Sequence, residues 1–114
     1  MPSERAFVGT LMKELKRIPN SWWYKIPDPV RCPKCGIAGL GNKRPFDIVG
    51  TVNGYSIALE AKASIKLKAS DHQVANLYLM EAAGGYSTIV APENKAEIIK
   101  AILDHTKIPM IRHT

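Results

Sequence analysis

The dipeptide Asn53-Gly54 constrains this chain more than any other feature. Both residues tolerate positive φ, so the pair predicts a two-residue type I′ turn joining β-prone runs on either side. Those runs are Pro45-Phe46-Asp47-Ile48-Val49-Gly50-Thr51-Val52 and Tyr55-Ser56-Ile57-Ala58-Leu59-Glu60-Ala61-Lys62. A two-residue turn also fixes the register. If Val52 closes on Tyr55, Asp47 falls opposite Glu60 in a non-hydrogen-bonded pair, whose α-carbons sit about 4.5 Å apart. Lys62 lies two residues beyond Glu60 and projects from the same face. The opposite face reads Ile48, Val52, Tyr55, Ile57, Leu59 and Ala61, the pattern of a sheet resting on a core.

Sheet packing does not ask for two carboxylates facing each other. Directly opposed like charges destabilise a strand pair by roughly 0.2–1 kcal/mol unless they are neutralised. A divalent cation such as magnesium would neutralise them, since it is a hard ion that takes carboxylate oxygens. A solvated face bearing a chance Asp/Glu pair, neutralised by Lys62, is the other reading. Both depend on the register, because a slip of one residue moves every side chain to the opposite face.

The 114 residues suffice for one domain and leave no room for a second core. With 46% hydrophobic residues the composition is that of a folded chain, and no segment is long enough to cross a membrane. A formal charge of +6 favours an anionic partner, nucleic acid being the commonest. The opening Met1-Pro2-Ser3-Glu4-Arg5 lacks the apolar run of a secretory signal, and two cysteines suit a reducing compartment. A cytoplasmic protein is therefore expected.

Ser3 is placed to cap a helix to about Lys16, striped by Phe7, Leu11, Leu15 and Ile18. Glu4 shares that side of the helix, either as a first-turn residue favoured by the dipole or as a group drawn into a site. Pro19-Asn20 ends the helix and Trp22 to Ile26 reads as a strand, on which the adjacent tryptophans point to opposite faces. One of them can be core while the other is available for a subunit contact or for stacking on a base; burial of both is the alternative. Residues 27–44 form a loop insertion containing Cys32-Pro33-Lys34-Cys35. A structural zinc site normally takes four ligands, so this pair is either half of a site shared between subunits or two free thiols in a turn. Lys43 and Arg44 follow, and Lys66 and Lys68 lie beyond the hairpin; both basic stretches suit contacts with a phosphate backbone. Ser70-Asp71-His72-Gln73 matches a capping box opening a helix to about Ala83, with Val74, Leu77, Tyr78 and Met80 as its core stripe and Gly84-Gly85 as its stop. Tyr86 to Ala91 reads as a strand. Pro92 starts a last helix to about His105, and residues 109–114 read as a tail. The order helix, strand, hairpin, helix, strand, helix implies an α/β fold: a small mixed sheet of about four strands with flanking helices, and a hairpin carrying the site.

If the patch is functional, Asp47, Glu60 and the backbone carbonyl of Ala61 are its metal ligands. Glu4 would add a second metal or a water-mediated contact, and Lys62 would orient or deprotonate water or neutralise charge on a phosphate.

Asp47 followed by Glu60-Ala61-Lys62 resembles the PD-(D/E)xK nuclease superfamily. The segments FDIVG, ALEAK, SDHQ and GGYSTIV further resemble small Holliday junction resolvases of archaeal, bacterial and phage type, and stand-alone nuclease domains of the virus-type replication-repair group. The similarity runs from Glu4 to about Ala91. It departs from the family pattern at Phe46, which separates Pro45 from Asp47, and in the Cys32/Cys35 insertion. The resemblance implies a restriction-endonuclease-like core spanning residues 1–114 and active-site positions at Glu4, Asp47, Glu60 and Lys62, with Gln73 supporting them from the next helix. It also implies magnesium dependence with manganese as a substitute, a homodimer, and paired nicks in branched DNA during recombination or repair. The compact chain and the resemblance lean toward phage, and so toward host-cell cytoplasm. Two alternatives stand beside this. One is a repair or replication nuclease acting on flaps, single strands or duplex; the other is a noncatalytic basic DNA-binding module with an intersubunit zinc.

Overall fold

A computed structural model describes residues 3–27 and 46–107. The elements run α1 (Glu4–Leu15), β1 (Ser21–Lys25), β2 (Ile48–Val52), β3 (Tyr55–Ala61), α2 (Asp71–Ala82), β4 (Tyr86–Val90) and α3 (Lys95–His105). The result is a small α/β fold with a mixed four-stranded sheet flanked by helices. The strands lie in the order β1-β2-β3-β4, with the first two pairings antiparallel and the third parallel. Parallel neighbours need a crossover, and α2 supplies it between β3 and β4.

Local chemistry sets the boundaries. The Ser3 hydroxyl accepts the Ala6 N–H at 3.1 Å and starts α1. Asn20 takes the left-handed conformation (φ 53°) between α1 and β1. Asn53 and Gly54, with φ of 51° and 88°, form the expected turn, and the ladder pairs Val52 with Tyr55 and Ile48 with Leu59. At the end of α2, Gly84 (φ 93°) donates to Glu81 and Gly85 to Met80, both at 3.0 Å, a Schellman closure of the helix.

The two faces of the sheet differ. On the core face, Trp23, Ile48, Val52, Ile57, Leu59, Ala61 and Val90 are buried with Phe7, Val8, Leu11 and Leu15 of α1 and Ile102 of α3. Trp23 lies flat across β2 because Gly50, its partner in the register, has no Cβ to collide with the indole. The other face, called here the site face, carries Trp22 and Tyr24 of β1, Ala58 and Glu60 of β3, and Ser87 of β4. Helix α2 lies against β4 and β3 on this side, and its Leu77 carbonyl accepts the Ser87 hydroxyl at 2.6 Å.

Four sequence expectations are corrected. Helix α2 buries no residue fully. Its half-buried stripe is Gln73, Asn76, Leu77 and Met80, whereas Val74 and Tyr78 point outward, Tyr78 being 70% exposed. Helical spacing groups Val74 with Tyr78 and Leu77 with Met80, but the contact with the sheet is made through Gln73, which rotates the first pair away. The last helix begins at Lys95, not Pro92, because Asn94 is used to finish β4. Its Oδ1 accepts the Ala91 N–H at 2.7 Å and its Nδ2 donates to the Ile89 carbonyl at 3.1 Å, leaving residues 92–94 as a turn. Strand β1 is shifted by one residue from the expected span, and α1 ends one residue earlier.

A candidate active site at the hairpin base

Asp47 and Glu60 are each only 2% exposed. The pairing expected of them is modified at its last step. The regular ladder stops at Ile48 and Leu59, and Asp47 sits just beyond it, donating its N–H to the Leu59 carbonyl at 3.2 Å while its own carbonyl accepts the Ile26 N–H at 2.8 Å. The Asp47 carboxylate then takes over as acceptor: Oδ2 receives the Ala61 N–H at 2.8 Å. A side chain thus stands where a backbone carbonyl would continue the sheet, and the buried carboxylate is fixed by a charge-assisted bond. Ala61 is buried on the core face and locks the position of this N–H.

Glu60 projects to the opposite face and meets α2. Gln73 Nε2 donates to Glu60 Oε1 at 2.6 Å, and Gln73 Oε1 accepts from Lys62 Nζ at 3.2 Å. The same Oε1 accepts the Ser70 N–H at 2.9 Å, while the Ser70 hydroxyl accepts the Gln73 N–H at 3.2 Å. Gln73 therefore completes a capping box and links the carboxylate of Glu60 to the ammonium of Lys62. Its orientation follows from its partners, since Lys62 and the Ser70 amide only donate and Glu60, as a carboxylate, only accepts. Lys62 is half-buried, and its backbone N–H donates to the Val90 carbonyl at 2.9 Å, which ties the residue to the end of β4.

The loop between β3 and α2 is clipped by a residue that the sequence reading did not single out. Glu93 Oε2 accepts the Ser64 hydroxyl at 2.9 Å and the Ile65 N–H at 3.1 Å. The Ser64 hydroxyl bond is the chief cause that holds the Glu93 carboxyl below its ordinary value of 4.5, with backbone N–H groups assisting. This clip anchors the segment that follows Lys62 and carries Lys66 and Lys68, both exposed. Ser64 and Glu93 are 29 residues apart, so no local pattern pairs them.

The structure therefore links Asp47 to Ala61, and Glu60 to Lys62 through Gln73. Glu4 stands exposed in the first turn of α1. Among the described residues no group of three or more His, Cys, Asp or Glu side chains is arranged to hold a metal ion. Lys43, Arg44, Cys32 and Cys35 lie outside the described residues. Of the two adjacent tryptophans, Trp23 is core and Trp22 is exposed beside Tyr24. No helix among the described residues is long and apolar enough to cross a membrane.

Two buried carboxylates are hard oxygen donors, and with the Ala61 carbonyl they fit the ligand chemistry of magnesium or manganese, ions that complete their shells with water. The sequence matches no protein-family model, and no curated protein matches it at a significant level.

Proposed function

We propose that this chain is a metal-dependent DNA endonuclease with a restriction-endonuclease-like core, acting on branched DNA as a homodimer that makes paired nicks. The observation that carries the proposal is the burial of Asp47 and Glu60 beside a lysine, with Gln73 connecting Glu60 to Lys62. Burying carboxylates costs several kcal/mol each unless they are compensated. A domain that only bound DNA would gain nothing from two buried acidic groups, so the cost favours a catalytic use.

Asp47 and Glu60 would hold the ion, and the Ala61 carbonyl would share in this because in an extended strand it leaves on the same side as the N–H bound to Asp47. When bound, the ion supplies Lewis-acid activation of the phosphodiester and lowers the pKa of water. The chain's own residues do the rest. Gln73 holds the carboxylate of Glu60 in one orientation. Lys62 neutralises charge that builds on the phosphate or orients the attacking water. Lys66 and Lys68, on the loop clipped by Glu93, engage the flanking backbone, and binding weakens steeply with salt. Glu4 would act through water or a second ion. Paired nicks in a four-way junction require two similar sites at a fixed separation, which a symmetric dimer provides.

The test is cleavage of an end-labelled four-way junction beside matched flap, single-stranded and duplex DNA in magnesium, with Glu60→Ala and Lys62→Ala proteins as controls. Symmetric nicks on the junction alone, lost in both variants, are expected. Equal cutting of all substrates would remove the branch specificity and leave a repair or replication nuclease. Absence of metal-dependent cutting on every substrate would sink the nuclease reading in favour of a binding module.

A further inference from the structure

Trp22 and Tyr24 are alternate residues of β1, the edge strand, and both project from the site face. They are 58% and 49% exposed, unusual for large aromatics in a chain whose other tryptophan is buried. Their rings are stacked, with centroids 6.0 Å apart and planes only 3° from parallel. On this face α2 lies against β3 and β4, so among the described elements no helix lies over the pair.

We infer that Trp22 and Tyr24 form a stacking platform for unpaired nucleobases of the strand whose phosphate lies at the proposed metal site. The inference rests on the proposed nuclease reading and adds to it a requirement for locally unpaired DNA. Two observations choose a nucleobase as occupant. The first is charge: the chain carries 16 Lys and Arg against 10 Asp and Glu. A polyanion with flat π-faces complements a cationic surface bearing an aromatic pair, and stacking on aromatics tolerates any base. The second is continuity. Tyr24 pairs with Val49, two residues from Asp47, and Ile26, next on the same face, donates its N–H to the Asp47 carbonyl. At about 3.3 Å per residue, Tyr24 and Trp22 lie roughly 7 and 13 Å along the strand from Asp47. A stacked nucleic-acid strand advances about 3.4 Å per nucleotide, so the platform meets bases two to four nucleotides from the phosphate at the proposed metal site. Because the rings are already parallel and supported by a strand, little side-chain freedom is lost when a base stacks on them.

The experiment measures binding of a fluorescent 12-nucleotide single strand, the same strand with abasic positions, and the matched duplex, all by anisotropy in EDTA so that nothing is cut. Wild type, Trp22→Ala, Tyr24→Ala and Trp22→Phe are compared, with the melting temperature of each as a fold check. Trp22→Ala is expected to weaken single-strand binding about tenfold and duplex binding by less than twofold. Trp22→Phe should recover most of the loss, and abasic strands should bind wild type and Trp22→Ala alike. Equal weakening on single strand and duplex, or unchanged affinity in Trp22→Ala, would overturn the platform. So would conversion of a dimer to a monomer by Trp22→Ala in sedimentation, because the pair would then be a subunit contact. Failure is separable from that of the nuclease reading. Single-strand binding that depends on Trp22 without any cleavage sinks only the nuclease, whereas Glu60-dependent cleavage with Trp22-independent binding sinks only the platform.

Discussion

On the core face, α1 and α3 meet the sheet through Phe7, Val8, Leu11, Leu15 and Ile102, all buried; on the site face, α2 meets it without one fully buried residue. Apolar burial contributes about 25 cal/mol per Å² without regard to direction, so α1 and α3 are held strongly but without reference to any particular atom. Helix α2 is held at points: Gln73 on Glu60 and Lys62, and Ser87 on the Leu77 carbonyl. Hydrogen bonds contribute less each but require defined geometry. The core face supplies stability, and the site face spends part of it to keep two carboxylates and a lysine in register.

The sharpest way to break this comparison is Glu60→Ala. If the site face is organised for chemistry, cleavage should fall at least 10³-fold, about 4 kcal/mol of transition-state stabilisation. Stability should hold or rise, because a buried carboxylate is removed and Gln73, half-buried, can turn to solvent. A fall in melting temperature with cleavage retained would make Glu60 structural.

Next in size is Leu11→Ala, which empties a fully buried position of α1. A loss of about 2–5 kcal/mol in urea unfolding is expected. The matched change on α2, Val74→Ala, should stay within about 0.5 kcal/mol, since Val74 is 52% exposed. Similar losses from both would mean that α2 is packed as α1 is.

These two positions also show what the sequence could disclose. The turn at Asn53-Gly54 is local chemistry, and with it came the register, the core face and the place of Glu60 on the site face. The capping box at Ser70 was legible for the same reason. Periodicity, however, says which residues of a helix share a side and not which side meets the sheet. Val74 and Tyr78 therefore looked like core beside Leu77 and Met80, while the half-buried stripe joins Leu77 and Met80 to polar Gln73 and Asn76. The Asp47 bond to the Ala61 N–H needed the end of the ladder to be seen. Glu93 on Ser64 joins segments whose proximity only the parallel β3/β4 pairing creates.

A smaller effect separates the two roles of Gln73. Ser70→Ala removes the cap alone and should cost about 1 kcal/mol with cleavage within about threefold of wild type. Gln73→Ala removes the cap and the bonds to Glu60 and Lys62 together. Its stability loss should be similar, but cleavage should fall ten- to hundredfold, the usual effect of losing a residue that orients a ligand. Equal activities in the two variants would reduce Gln73 to a helix cap.

The smallest expected effect concerns the Glu93 clip, where the pH dependence has a definite sign. Hydrogen bonds from the Ser64 hydroxyl and from backbone N–H groups lower the carboxyl below 4.5 in the folded chain. A depressed folded pKa means that the stabilisation is fully present above the unfolded value and is lost as pH falls through the lowered folded value. At neutral pH, Glu93→Gln should therefore loosen the loop after Lys62, seen as faster amide exchange at Ile65, whose N–H the carboxylate accepts. The difference between the variant and wild type should narrow once the pH drops below the carboxylate range, because the protonated glutamic acid has lost the charge that strengthened both bonds. Glu93 is exposed and screened by water, so the global melting temperature should hardly move. A difference in exchange that stays constant from neutral to acidic pH would show that the clip is held by shape and not by charge.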